Sequence, residues 1–159
     1  RNKQGAVMTD NKAVSCTELA VKLFSGNFNC AESVFKATCE TFGVEGHGLV
    51  PRVASGFGAG FGRLGHVCGA LTGGIMGLGA VFGRDAADGD RDRIYSRVVR
   101  LEKEFRERCG SIGCRDIIGY DMTTPEGMKA AKESGVFETK CVACVRAAAE
   151  IVGNICSEQ

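Results

Sequence analysis

The stretch that decides the fold runs Cys68-Gly-Ala-Leu-Thr-Gly-Gly-Ile-Met-Gly-Leu-Gly-Ala-Val-Phe82; it is apolar, rich in glycine and opens on a cysteine. Gly69, Gly73 and Gly77 recur at four-residue spacing, which places them on one face of a helix. Each interior glycine costs about 0.5–1 kcal/mol relative to alanine. Close packing of another backbone against that face must compensate. The stretch therefore predicts a buried helix over 68–82 whose glycine face is approached closely by a neighbour.

Helical periodicity dominates the rest of the 159 residues as well, and no pair of alternating strands is evident. The sequence predicts one all-α domain over 8–159, a compact multi-helix fold around the Gly-rich helix. Residues 1–7 are expected to be an expression remnant or a disordered tail ahead of Met8. Besides 68–82, the predicted helices cover 12–25, 30–42, 49–55, 88–108, a segment starting near Pro125, and 140–154, and a short turn is predicted over 114–118.

Composition excludes several classes of function. The net charge is +1, there is no Trp, and there are only two Tyr, so neither a strong field nor base-stacking platforms favour nucleic acid. No run of about 20 apolar residues exists, so we expect no membrane insertion. No apolar signal core follows the N-terminus, and we expect a cytoplasmic protein. In a reducing compartment, nine cysteines indicate metal or redox work more than structural disulfides.

Some of the cysteines fall where helices are predicted to begin. Asn29 with Glu32 forms a capping-box pattern before the second helix, and Thr139 is a candidate N-cap for the last one. A thiolate is stabilised at a helix N-terminus, where the cysteine pKa falls. Four such thiolates could hold an iron–sulfur cluster or zinc, whereas two in contact could form a disulfide. The four cysteines are Cys30, Cys68, Cys114 and Cys141.

The other five cysteines have different surroundings. Cys16 and Cys39 lie inside amphipathic helices and are expected to be small core fillers. Cys109 and Cys156 lie near helix C-termini, where the dipole disfavours a thiolate, and the core interpretation is favoured for them too. Cys144 forms a C-x-x-C pair with Cys141 and could either face the same site or pack inward.

Two further patterns lie just before Cys68. The segment from Gly60 to Gly65 matches G-x-G-x-x-G, but no strand precedes it, so we expect a tight turn near the cysteine site rather than a dinucleotide site. His66 could be a ligand or a proton donor to a reacting thiolate, or a local hydrogen-bonding residue.

These residues resemble the redox-active protein family named after its C…CGAxxG…C…C pattern. The matching segments are Asn29-Cys30-Ala31, Ser55–Gly60, Cys68–Gly73, Cys114-Arg115 and Cys141, spread over 27–152. The resemblance implies a small, largely helical redox protein with no well-established substrate. It also implies a likeness to part of a multihaem cytochrome in which such cysteines are associated with an iron–sulfur site. The haem-attachment motif C-x-x-C-H is absent here, so only the cysteine site carries over.

The sequence thus predicts a redox-active protein with Cys30, Cys68, Cys114 and Cys141 in one site. Electron transfer through an iron–sulfur cluster is favoured slightly over cofactor-free thiol–disulfide chemistry, and Gly69, Gly73 and His66 are the candidate cofactor-binding residues. The alternative is a zinc-stabilised helical binding module without redox activity. An unidentified redox partner is expected, and the Gly-rich helix could pack within the chain or across a homodimer.

Overall fold

Helix α8, Val142–Ser157, lies at the centre of the structure. The structure is a computed structural model that describes residues 3–158, with side chains from residue 11 onward. Over these residues the fold is all-α, as predicted, with an isolated antiparallel bridge between Val67 and Gly113. The other helices are α1 (Lys3–Ser25), α2 (Cys30–Phe42), α3 (Gly58–Phe61), α4 (Gly69–Phe82), α5 (Asp92–Cys109), α6 (Cys114–Ile118) and α7 (Pro125–Glu133); a 3₁₀ turn covers Arg52–Phe57 and a π turn covers Phe137–Cys141.

The core forms around α8 because this helix is apolar on most of its surface. Helices α1, α2, α4 and α5 all pack on it. Gly153 lets α1 approach closely, since a Cβ there would lie 2.8 Å from the Cα of Ala13. Leu101 and Phe105 of α5 are completely buried, as expected for the inner stripe of an amphipathic helix.

The Gly-rich helix is buried as predicted, and the neighbour on its glycine face is α2. A Cβ at Gly73 would lie 2.9 Å from the Cα of Ala31, and a Cβ at Gly77 would lie 2.8 Å from the hydroxyl oxygen of Thr38. Because these distances are below van der Waals contact, only glycine allows the two helices to pack this closely. The close approach occurs within one chain.

Three helix starts differ from the sequence predictions. Helix α1 begins at Lys3 instead of Lys12. Helix α5 begins at Asp92 instead of Asp88, since the Asp90 carboxylate accepts a hydrogen bond (2.8 Å) from the Asp92 N–H and ends the preceding turn. The segment expected as a helix over 49–55 is instead the 3₁₀ turn that follows Pro51.

The prediction that Thr139 caps the last helix is wrong. Its hydroxyl donates to the carbonyl of Gly135 (2.9 Å), within the π turn that runs continuously into α8. Cys141 closes this turn, with its N–H donating to the carbonyl of Val136 (3.1 Å).

Arg1 and Asn2 lie outside the described residues. The interpretation of residues 1–7 as a remnant or tail therefore stays a prediction. The assignment of a single domain to residues 8–159 stays a prediction as well. None of the described helices is long and apolar enough to cross a membrane.

Candidate functional site

Cys68 and Cys114 are held side by side by backbone hydrogen bonds around the Val67–Gly113 bridge. The Cys68 N–H donates to the Ile112 carbonyl (2.8 Å), and the Cys114 N–H donates to the His66 carbonyl (2.6 Å). Two helix starts that are far apart in sequence are thereby tied together. Cys68 is the N-cap of α4, and Cys114 is the first residue of α6.

Cys30 is positioned by the capping box that the sequence predicts. The Glu32 N–H donates to the Asn29 side chain (2.9 Å), and the Asn29 N–H donates to the Glu32 carboxylate (2.8 Å). The first turn of α2 then faces the first turn of α4, and a Cβ on Gly69 would overlap the Cys30 Sγ. The glycine that follows Cys68 therefore makes room for the Cys30 sulfur.

The four predicted cysteines and Cys144 line one cavity of about 360 Å³. Most of its other lining is apolar, from Phe24, Phe28, Ile117, Ile118, Met122, Met128 and Phe137. Arg63 and Lys132 also line it and are exposed, so the cavity opens to solvent on their side. This volume and apolar lining are typical of a small-molecule or cofactor site. All nine cysteines are free thiols.

A left-handed turn packs against this cysteine cluster. Five consecutive residues, Ala59 to Arg63, have positive φ, and three of them are not glycine. Each non-glycine residue in this conformation costs about 1–2 kcal/mol. The turn directs the N–H of Ala59 to the Cys30 sulfur, and a Cβ on Gly60 would lie 2.7 Å from the Cβ of Cys114. The G-x-G-x-x-G segment is thus a tight turn next to the cysteines, and strain of this kind is concentrated at functional sites.

The electrostatics single out Cys68 among the four. The hydrogen bond from the Cys144 thiol is the main cause that lowers the pKa of Cys68, and the N–H groups of Ala70 and Leu71 at the start of α4 add to it. The expectation that all four helix starts lower the thiol pKa is wrong for the other three. Burial and the neighbouring sulfurs raise the pKa of Cys30 to about 11 and those of Cys114 and Cys141 to about 12.

Cys144 and Cys109 form an arrangement that sequence reasoning missed. The Cys144 thiol lies close enough to Cys109 and Cys68 to donate its one hydrogen to either thiolate, which raises its own pKa and lowers the pKa of each partner. Cys109 is half-buried at the end of α5. A helix C-terminus is expected to disfavour its thiolate, but the neighbouring Cys144 thiol lowers the pKa of Cys109 instead. The C-x-x-C spacing pointed to Cys144, but no local signal pointed to Cys109.

The remaining sequence candidates lie in different places. The His66 side chain is exposed, with its ring centroid 5.8 Å from that of Phe61, while its backbone braces Cys114. Gly73 faces the Ala31 backbone one turn away from the cavity. Cofactor-binding roles for both stay predictions. Cys16, Cys39 and Cys156 are buried in the core, as predicted.

The donor set does not match the needs of a single metal ion. Within the part of the chain that the structure describes, no group of three or more His, Cys, Asp or Glu side chains is arranged to hold one. The predicted zinc and iron–sulfur sites are thus not evident as preformed ligand sets. Four thiols on one cavity wall nevertheless suit the chemistry of an iron–sulfur cluster, which is held by cysteine thiolates.

Comparison with known proteins agrees with this cysteine arrangement. A family described as "Putative redox-active protein (C_GCAxxG_C_C)" matches residues 28–155. An uncharacterized protein from Archaeoglobus fulgidus is similar, being 29% identical over 108 residues, which is 62% of this chain and 70% of the relative. No solved structure matches. With most of its length matched, including all four cysteines of the pattern, the chain belongs to the C_GCAxxG_C_C family of redox-active proteins.

Proposed function

We propose that the chain is a thiol–disulfide redox protein in which Cys68 and Cys30 cycle between dithiol and disulfide in the cavity. The observation that carries this proposal is the position of Cys68. Its thiol, with a lowered pKa, lies at the start of α4 on the wall of an open cavity that Cys30 also lines, and the Cys30 sulfur faces Gly69, the residue next to Cys68. The thiolate is the attacking form in disulfide exchange, so a lowered pKa keeps more of it available near neutral pH.

The electrons and protons balance for a disulfide substrate. The Cys68 thiolate attacks one substrate sulfur, which forms a mixed disulfide and releases the other half as a thiolate. The Cys30 thiol gives its proton to that thiolate or to solvent, and its sulfur then attacks Cys68. This step forms the Cys30–Cys68 disulfide and releases the second half of the substrate, so two electrons pass to the substrate. The Ala59 N–H, which already points at the Cys30 sulfur, favours its thiolate form.

The test is a redox titration of the purified protein with mixtures of reduced and oxidised dithiothreitol. Samples are quenched with acid and alkylated, and disulfide-linked peptides are identified by mass spectrometry. We expect a reversible Cys30–Cys68 linkage that is lost in Cys68→Ser and retained in Cys39→Ala, whose thiol is buried away from the cavity. An unchanged thiol titration in Cys68→Ser would refute the proposal.

A second candidate is electron transfer through an iron–sulfur cluster on Cys30, Cys68, Cys114 and Cys141. The observation that favours it is the mutual repulsion of the four thiolates. This repulsion contributes to the raised pKa values of Cys30, Cys114 and Cys141. A bound cluster would neutralise that charge and supply one-electron transfer.

Anaerobic purification with iron and sulfide analysis separates the two candidates. Stoichiometric iron and sulfide, lost in each of the four Cys→Ser variants, would favour the cluster over the disulfide.

Nine free thiols suit a reducing compartment, and a cytoplasmic location with a redox partner is part of both proposals.

A further inference from the structure

Cys144 borders two cavities. On one side it lines the cysteine cavity, together with Cys68. On the other side it lines an outer cleft of about 630 Å³ between the end of α5 and the first half of α8, together with Cys109. Cys144 of α8, together with Ile117 of α6, therefore lies between the buried cysteine cluster and a second opening on the surface.

The three sulfurs form a continuous series. The Cys144 thiol lies between Cys68 on the inner side and Cys109 on the outer side, close enough to interact with each of them. Cys144 itself is 3% exposed, so a molecule in solvent does not reach it directly, whereas Cys109 is only partly buried. Thiol–disulfide exchange needs an accessible sulfur and a neighbouring attacking thiol, and Cys109 with Cys144 supplies both.

We propose that Cys109 and Cys144 form a second dithiol–disulfide pair, which passes electron pairs between the cavity cysteines and a dithiol reductant bound in the outer cleft. This inference rests on the proposed function of Cys30 and Cys68, and it assigns a role to two cysteines outside the four of the family pattern.

The transfer balances as two intramolecular exchanges. In the first, Cys144 gives its thiol proton to the Cys109 thiolate and its sulfur attacks the Cys68 sulfur of the Cys30–Cys68 disulfide, which forms Cys68–Cys144 and releases the Cys30 thiolate. In the second, Cys109 passes that proton on to the Cys30 thiolate or to solvent and its sulfur attacks Cys144, which forms Cys109–Cys144 and releases the Cys68 thiolate. The cavity pair is then reduced and the outer pair oxidised, with no net gain or loss of electrons.

The cycle closes at the surface. A dithiol reductant in the cleft attacks Cys109, forms a mixed disulfide there and leaves as its own cyclic disulfide, which returns Cys109 and Cys144 to thiols. The cleft lies open for this step, and its lining includes side chains of both charges, with Arg108 paired to Glu150 (2.9 Å) and Lys140 bonded to the Ile117 carbonyl (3.0 Å).

The test measures how fast dithiothreitol reduces the oxidised protein, and which cysteines are linked after acid quenching. We expect a Cys109–Cys144 linkage in the wild-type protein, and a Cys68–Cys144 linkage that accumulates in Cys109→Ser. Reduction of the Cys30–Cys68 disulfide should slow on the order of tenfold in Cys109→Ser, because the exposed entry sulfur is lost. Cys144→Ala should slow it similarly, and Cys156→Ala, a buried core thiol, should leave the rate unchanged.

The outcomes distinguish the two proposals. If the Cys30–Cys68 disulfide forms but is reduced equally fast in Cys109→Ser, or if no Cys109–Cys144 linkage is found, the relay is overturned and the proposed function stands. If the Cys109–Cys144 linkage forms while the Cys30–Cys68 linkage does not, the proposed function fails, and the outer pair remains as a redox pair in its own right.

Discussion

The glycine face of α4 allows a quantitative test of how the cysteine site is assembled, by the substitution Gly73→Ala. A Cβ at this position would lie 2.9 Å from the Cα and 3.0 Å from the carbonyl carbon of Ala31, and closer still to the Ala31 carbonyl oxygen. Normal carbon–carbon contacts are about 3.5–4.0 Å, so α2 and α4 would have to separate by roughly 0.5–1 Å. All three atoms belong to the α2 backbone, so no side-chain rotation can relieve the overlap.

The expected effect is the sum of two opposing terms. Overpacking of this kind typically costs about 1–3 kcal/mol. Alanine is a better helix former than glycine by about 1 kcal/mol, which offsets part of that cost. We therefore expect Gly73→Ala to lower the free energy of unfolding by up to about 2 kcal/mol.

The matched control is Gly79→Ala in the same helix. No heavy atom lies within 4 Å of a Cβ at Gly79, so this variant should gain the helix-propensity term alone and be more stable by up to about 1 kcal/mol. The assay is urea unfolding followed by circular dichroism, with excess reductant present. If Gly73→Ala is stabilised as much as Gly79→Ala, the close approach of α2 and α4 described above is wrong.

Three further predictions concern the thiols and the strained turn. Removal of the main hydrogen-bond donor in Cys144→Ala should shift the pH dependence of Cys68 alkylation to higher pH; an unchanged profile would mean that the start of α4 alone lowers this pKa. Burial raises the pKa of Cys16 to about 11 from its ordinary 9.0, so the unfolded chain loses this proton first and stability should fall as the pH rises above 9.0. Urea unfolding of the wild-type protein and of Cys16→Ala across this pH range should show that Cys16 accounts for a loss of up to about 3 kcal/mol in the free energy of unfolding at high pH. The same pH dependence in both proteins would contradict this prediction. Ala59, with φ of 55°, is strained, so Ala59→Gly should raise the thermal midpoint, whereas Ala80→Gly on the exposed side of α4 should lower it; equal shifts would refute the strain argument.

Much of the fold could be predicted because its signals are local. The capping box at Asn29 and Glu32 marks the start of α2 in sequence and is found intact in the structure. The glycine spacing of α4 predicts a close helix contact because a missing Cβ has the same consequence in any fold. The start of the last helix was misassigned, since a threonine that caps and one that bonds back to an earlier carbonyl have the same sequence context.

The candidate site was predictable only in part. That Cys30, Cys68 and Cys114 lie at helix starts follows from cap and turn residues close to them in the chain, whereas the cap predicted before Cys141 is not formed. Their pKa values do not follow, because burial and neighbouring thiolates raise three of them and the Cys144 thiol, more than the helix terminus, lowers that of Cys68.

The sequence by itself determined an all-α chain with a glycine-faced helix and with Cys30, Cys68 and Cys114 at helix N-termini, since each of these depends on residues within a few positions of one another. Only the tertiary structure decided that α2 is the helix on the glycine face, that one cavity gathers the cysteines, and that Cys144 connects Cys68 to Cys109. These contacts join residues from distant parts of the chain. Helix packing brings them together, and a thiol's chemistry depends on the neighbours it then meets.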